Sequence, residues 1–238
     1  IVPEVVEGYS AMSALASDKE LRQLDNGVLD YRRACRPFGE NCGFTLAESA
    51  QFVVLFDDSL ALELGAKMYG AVTDVFINAD GHKKSISAPG VGNYLTVAKA
   101  MGSARGLLGE ESIRQRSFIQ AHGTGTPQNR VTESDILNRA AEVFGINSWP
   151  VVAVKSYLGH SVGTAGADQL VASLGVWEEG ILPGINTIDG PAPDVACSHL
   201  NISRHHKEVG AEGMDSAIIN AKGFGGNNAS AAVIAPHI

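Results

Sequence analysis

Two histidines and a lysine stand where this sequence could do chemistry. His122 follows the apolar run Ser117-Phe-Ile-Gln-Ala121 and enters the tight turn Gly123-Thr-Gly-Thr126. Open α/β sheets bind ligands at strand ends of this kind; glycines let a ligand approach the backbone, and Thr124 and Thr126 offer hydroxyls. Lys155 and His160 follow a second apolar run, 151–154, and precede the small-residue stretch Ser161-Val-Gly-Thr-Ala-Gly-Ala167. An imidazole near the N-terminus of a helix over that stretch stays neutral, because the macrodipole disfavours imidazolium, and neutral imidazole donates well to an oxyanion. Lys155, at the end of a buried strand, needs a partner or a role. A third segment, Asn220-Ala-Lys-Gly-Phe-Gly-Gly-Asn-Asn-Ala229, joins two apolar strands. Its backbone N–H groups suit an oxyanion hole with Phe224 guarding a pocket, although the same residues serve equally as a hairpin loop. The turn after His122, taken singly, reads just as well as a structural strand-to-helix connection.

Other chemistries find no support. His82, His199, His205, His206 and His237 lack metal-ligand spacing and read as surface residues, so no metal is expected. No G-x-S-x-G elbow, H-E-x-x-H or phosphate-binding loop occurs, and neither 220–229 nor 90–95 completes a dinucleotide fingerprint. The three cysteines, Cys35, Cys42 and Cys197, form no paired framework and suggest reduced thiols of a cytoplasmic protein. A net charge of -8 argues against nucleic acid as a partner. No apolar run approaches the ~20 residues that cross a bilayer. The start at Ile1, without Met or a targeting pattern, suggests a piece of something longer.

Positioning these residues takes alternating strands and helices. The opening 1–15 reads as turn-like, then mildly amphipathic, and Arg32, Arg33 and Arg36 as a solvated basic loop or a dock for an acidic partner. Two strands are expected across 42–57, a helix over 58–64 and a strand over 68–74, followed by an amphipathic helix over 93–107. The second half predicts strands 117–121 and 151–154, helices 133–144 and 166–177, and a terminal strand pair, 217–221 with 229–235. Thr132 followed by Asp135 resembles a capping box for the helix from Glu133. The whole is an α/β layered pattern.

Taken in order, His122-Gly-Thr-Gly-Thr126, Lys155 with Gly159-His160, and Gly223-Phe-Gly-Gly-Asn-Asn228 resemble the β-ketoacyl-acyl-carrier-protein synthases. Ile1-Val-Pro3, Ser13-Ala-Leu15, Arg36-Pro-Phe38 and Gly43-Phe44 extend the likeness to the N-terminal part. The resemblance implies a thiolase-like α-β-α-β-α fold, with 1–75 closing its N-terminal half and 76–238 forming the C-terminal half. It implies that His122 and His160 support malonyl decarboxylation while Lys155 orders the site. Thr124, Thr126, Phe224 and Gly225 would bind the substrate's pantetheine arm or its oxyanion. The implied reaction is a decarboxylative Claisen condensation of an acyl thioester with malonyl-acyl carrier protein, in which the acyl group is first parked on a cysteine. That nucleophile would lie upstream of residue 1, so the chain alone should be inactive.

Implied partners are acyl carrier protein or coenzyme A thioesters, the remaining N-terminal half in the same or a second chain, and a second copy in a homodimer. No cofactor is implied beyond the phosphopantetheine that carries the substrates. Lys83 and Lys84, like the arginine cluster, are candidate carrier docks. Several positions depart from the family pattern: Arg130 replaces an acid, Lys222 a phenylalanine and Asn227 a threonine, and 47–51 replaces a glycine-rich run. Gln169 stands where a glutamate usually partners the lysine, which leaves Asp168 or Glu133 for Lys155. A non-catalytic partner resembling chain-length factors, or a structural fragment, is the alternative, although a structural role has no chemical need for both histidines.

Overall fold

The computed structural model describes residues 1–81 and 90–238; His82, Lys83 and Lys84 lie outside the described residues. In chain order come α1 (Pro3–Ala11), α2 (Asp18–Leu24), a 3-10 turn at Tyr31–Arg33, α3 (Asp58–Glu63), β1 (Ala71–Ala79), α4 (Val91–Leu108) and α5 (Glu110–Gln115). There follow β2 (Ser117–Gln120), α6 (Pro127–Val143), β3 (Trp149–Val152), α7 (Lys155–Leu158), a 3-10 turn at Val162–Thr164 and α8 (Ala165–Glu179). The chain closes with β4 (Ile181–Leu182), β5 (Leu200–Asn201), β6 (Lys207–Glu208), β7 (Ser216–Gly223) and β8 (Asn227–Ile234).

The main sheet runs β1-β8-β7-β2-β3-β5, with β7, β2, β3 and β5 parallel and β8 antiparallel between β7 and β1. Strand side chains alternate between faces. Ile119, Ala121, Val151, Ile218 and Ala232 therefore pack with Val97, Met101, Leu137 and Ala140 of α4 and α6. Phe118, Val152, Ala217, Ile219 and Val233 pack on the other face with Val176 and Trp177 of α8. Burial on both sides favours apolar residues in these short parallel strands, with the polar Ser117, Gln120, Ser216 and Asn220 buried among them. The sheet is less covered at its edge. Val75 and Ile77 of β1 sit opposite Ala231 and Ala229, and Ile77 stays 79% exposed.

Several local expectations are corrected. No strand forms across 42–57: among the described residues this segment has only the single bridges Leu15↔Phe44 and Leu46↔His160, and Phe52 is 93% exposed. A β-prone run without a neighbouring ladder to satisfy its backbone does not become a strand. The strand expected at 68–74 lies instead at Ala71–Ala79, where β8 supplies the ladder. The opening segment is a helix because Pro3 begins it and Glu4 faces its positive end. The helix through Glu133 starts earlier, at Pro127, with the Thr126 side chain accepting from Asn129 N–H, so the Thr132/Asp135 box is not its cap. No helix among the described residues is long and apolar enough to cross a membrane.

Candidate active site

Three connections converge at one end of the parallel strands. β2 ends at Gln120, and the chain turns through Gly123 and Gly125 at φ 48° and 78° before Thr126 caps α6. A Cβ on Gly123 would lie 2.9 Å from Ala153 Cβ, so the turn needs glycine for space as well as for its positive φ. Glu133, one and a half turns into α6 and fully buried, reaches back to accept the N–H groups of His122 (2.7 Å) and Gly123 (2.8 Å). The amides of Asn129 and Asn220 complete its coordination at 2.7 and 2.8 Å. Four donors around one carboxylate fix the backbone that carries His122.

After β3 the chain does not run on as strand; Lys155 opens the single turn α7. Its Nζ donates to His122 O at 2.5 Å and lies 3.5 Å from His122 Nδ1. Burial drives the Lys155 pKa down to about 8, although the charges of Glu133, Cys35 and Asp168 oppose the shift. The expectation that Asp168 or Glu133 pairs with Lys155 is corrected: among the described residues no carboxylate forms an ion pair with it. Gln169 has its own reason to be an amide. Its Nε2 shares two hydrogens among the carbonyls of Ala121 (2.8 Å), Asn220 (2.9 Å) and Gln120 (3.1 Å), joining β2 to β7, which a carboxylate could not do.

The rings of His122 and His160 stand edge to face, centroids 5.5 Å apart. His122 Nδ1 accepts the Lys222 backbone N–H at 3.3 Å, and His160 Nδ1 accepts that of Val162 at 3.0 Å. A backbone N–H can only donate, so each ring carries its proton on Nε2. Burial, then Lys155, holds the His122 pKa well below the ordinary histidine value; the same causes bring His160 to about 3, opposed by Asp168. The site thus offers two neutral Nε2–H donors. The geometry at Val162 is unusual, since a β-branched residue sits at φ 56°, a left-handed backbone that costs roughly 1–3 kcal/mol.

Both histidines line a cavity of about 360 Å³ with Tyr9, Phe44, Thr124 and Phe224. Thr126 and Lys222 also face it, and the Thr124 and Thr126 hydroxyls lie 3.0 Å apart. The exposed Phe224 divides this cavity from a wider opening of about 760 Å³ beside α1. Gly225 and Gly226, at φ 81° and 86°, turn the β7–β8 hairpin tightly enough to place Phe224 at its tip. Phe44, part of the N-terminal likeness, packs on the His160 ring at 5.1 Å and meets Tyr9 at 5.2 Å; Tyr9 is the cavity residue that no motif pointed to.

The remaining candidates fall away from the cavity. Cys35 is buried, and that burial pushes its thiol up to about 11; Cys42 is raised by burial as well, so neither resembles an activated thiolate. The expected solvated arginine loop is largely consumed within the chain: Arg36 is buried against Asp25, Arg33 pairs with Asp189 and Arg32 with Asp30. Arg130 forms a two-point pair with Asp194 at 2.9 Å. His199 and His237 are half-buried rather than surface groups, placed by Ile146 O and Asp215. Among the described residues no group of three His, Cys, Asp or Glu could hold a metal ion.

A sheet with helices on both faces thus carries the histidine pair at its strand ends beside the glycine hairpin. The family described as beta-ketoacyl synthase, C-terminal domain, matches residues 69–189, and the chain belongs to that family. Over its whole length it is 60% identical to the beta-ketoacyl-[acyl-carrier-protein] synthase FabY of Pseudomonas aeruginosa, covering 38% of that protein. The crystal structure of P. aeruginosa FabY superposes with a TM-score of 0.95 across 99% of this chain and 37% of the other. A 3-oxoacyl-[acyl-carrier-protein] synthase 2 of Vibrio cholerae is 30% identical across 96% of the chain, which covers 51% of it. The chain therefore spans between about a third and a half of these relatives.

Proposed function

We propose that the chain is the decarboxylating portion of a β-ketoacyl synthase acting on malonyl thioesters. The observation that carries this reading is the pair of neutral imidazoles, each fixed by a backbone N–H at Nδ1 and presenting Nε2–H to one cavity. As the bond between the malonyl α-carbon and its carboxylate breaks, carbon dioxide leaves and the electron pair becomes an enolate. Its oxygen accepts from His122 and His160. The enolate carbon then attacks an acyl thioester carbonyl, with the cysteine thiolate as leaving group. Preorganised donors at a developing oxyanion supply a large share of such a rate.

Lys155 orders the site through His122. Thr124 and Thr126 bind the pantetheine arm, and the N–H of Phe224, beside Gly225, joins the oxyanion hole for the acyl group. The nucleophile comes from the remainder of the synthase, in the same polypeptide or a second one, so these residues alone are inactive. The match beginning at residue 69 supports assigning 1–75 to the end of the N-terminal half and 76–238 to the C-terminal half. Acyl carrier protein or coenzyme A delivers both substrates in the cytoplasm, with no cofactor beyond their phosphopantetheine, and two copies pair as a homodimer. Both histidines, held ready to donate, speak against a non-catalytic partner subunit.

The test is release of carbon dioxide from malonyl-acyl carrier protein by the native protein that carries this sequence. His122→Ala and His160→Ala should each reduce it by roughly 10²–10³-fold, the worth of one oxyanion donor. Rates unchanged in both variants would sink the reading.

A further inference from the structure

Behind His160 the segment 45–51 meets the start of α8. Asp168, buried in the first turn of α8, accepts Ser49 Oγ at 2.8 Å and Gln51 Nε2 at 2.9 Å on one oxygen and Ser161 Oγ on the other. Ser49 and Gln51 belong to the segment that replaces the family's glycine-rich run. The same segment grips the His160 turn along its backbone: His160 N–H donates to Thr45 O at 2.7 Å, Ala47 N–H to His160 O at 3.0 Å, and Thr164 Oγ1 to Ser49 O at 3.2 Å. Three donors converge on Asp168, and only a group that accepts at both of its oxygens satisfies them all.

We propose that Asp168 is a positioning residue for His160: by fastening Ser161 to the 45–51 segment, it holds Val162 in the left-handed turn whose N–H fixes the ring. Val162 cannot hold that turn by itself. Its side chain is exposed to the cavities, and a β-branched residue keeps φ 56° only where its neighbours over-determine it. Ser161 immediately before it and Thr164 shortly after it are both tied to the same segment, directly or through Asp168. Release of Ser161 lets Val162 relax to negative φ, its N–H leaves Nδ1, and the His160 proton is no longer confined to Nε2. The proposal rests on the reading of His160 as an oxyanion donor, but its structural part can be read without activity.

The experiment uses the native protein with 15N-labelled histidine rings. Wild-type His160 shows the Nε2–H tautomer alone. Asp168→Ala and Ser161→Ala should each produce a tautomer mixture, and the double variant should be no worse than Asp168→Ala alone, because Ser161→Ala cuts only a tie that Asp168→Ala already removes. Malonyl decarboxylation should fall in parallel by roughly tenfold to a hundredfold, as misplacing a reacting group does. If Asp168→Ala does not fold, Ser161→Ala carries the same reading. A single Nε2–H tautomer retained in the folded variants overturns the proposal. A wild type that holds this tautomer but releases no carbon dioxide overturns the proposed function and leaves the positioning result standing.

Discussion

An ammonium ion deprived of water is costly, and Lys155 bears that cost beside His122. Its folded pKa of about 8 lies below the ordinary lysine value of 10.5, so between those two pH values the unfolded chain binds more protons than the folded one. Stability contributed by this group is complete above pH 10.5 and is lost as pH falls to 8. Lys155→Met should accordingly stabilise the protein by about 1–3 kcal/mol at pH 7, with the gain shrinking toward pH 10. Urea titrations at the two pH values check it, and the same variant should decarboxylate poorly. For His160 the depressed value of about 3 puts the titration far below neutrality. Its contribution to stability is full above pH 6.5 and lost in acid, and the pH profile of decarboxylation should show no acid limb from this ring between pH 5 and 7. At this scale the sequence was readable where a motif carries its own chemistry, as at His122, Lys155 and His160. It offered Asp168 only as a partner for Lys155 and gave Val162 no role, because a hydrogen-bond partner and a backbone angle are not revealed by spacing.

Helix α6 does more than follow the histidine turn. It begins at Thr126-Pro127, a cap and first-turn proline, and this places Glu133 where its carboxylate can return to the N–H groups of His122 and Gly123. The cap was legible as a local signal, yet the later Thr132/Asp135 pair drew the expected start of the helix six residues downstream. Glu133→Ala removes the acceptor from four buried donors and should cost at least ~3 kcal/mol, seen as a shift in denaturation midpoint. Glu133→Gln keeps the shape but turns a second acceptor into a donor facing N–H groups, so it should rescue only part of the loss. Strands β2, β3, β7 and β8 were legible because their apolar runs are short and bounded by turns. The 42–57 segment misled because its β-prone residues need a ladder from elsewhere to form a strand.

Across the whole molecule, the α/β layering and the gathering of three motifs at one end of the sheet follow from the order of the motifs along the chain. The uncovered surface follows only from the structure. Phe52, Val54, Leu55, Val75 and Ile77 all stand exposed, far more apolar area than scattered single residues present. If the rest of a synthase covers them, amide exchange across 52–56 should be slow in the native protein and fast in a polypeptide limited to these 238 residues. Exchange equally fast in both would assign the surface to some other contact.

Strand β1 forms the outer margin of the sheet among the described residues, with a ladder to β8 on one side only. An edge with exposed Val75 and Ile77 is a template for another strand, although the register shift between Val72 and Asp74 interrupts it at one end. If two such margins pair, these 238 residues on their own should obey mass action, and calorimetry at rising concentration should show a rising melting temperature.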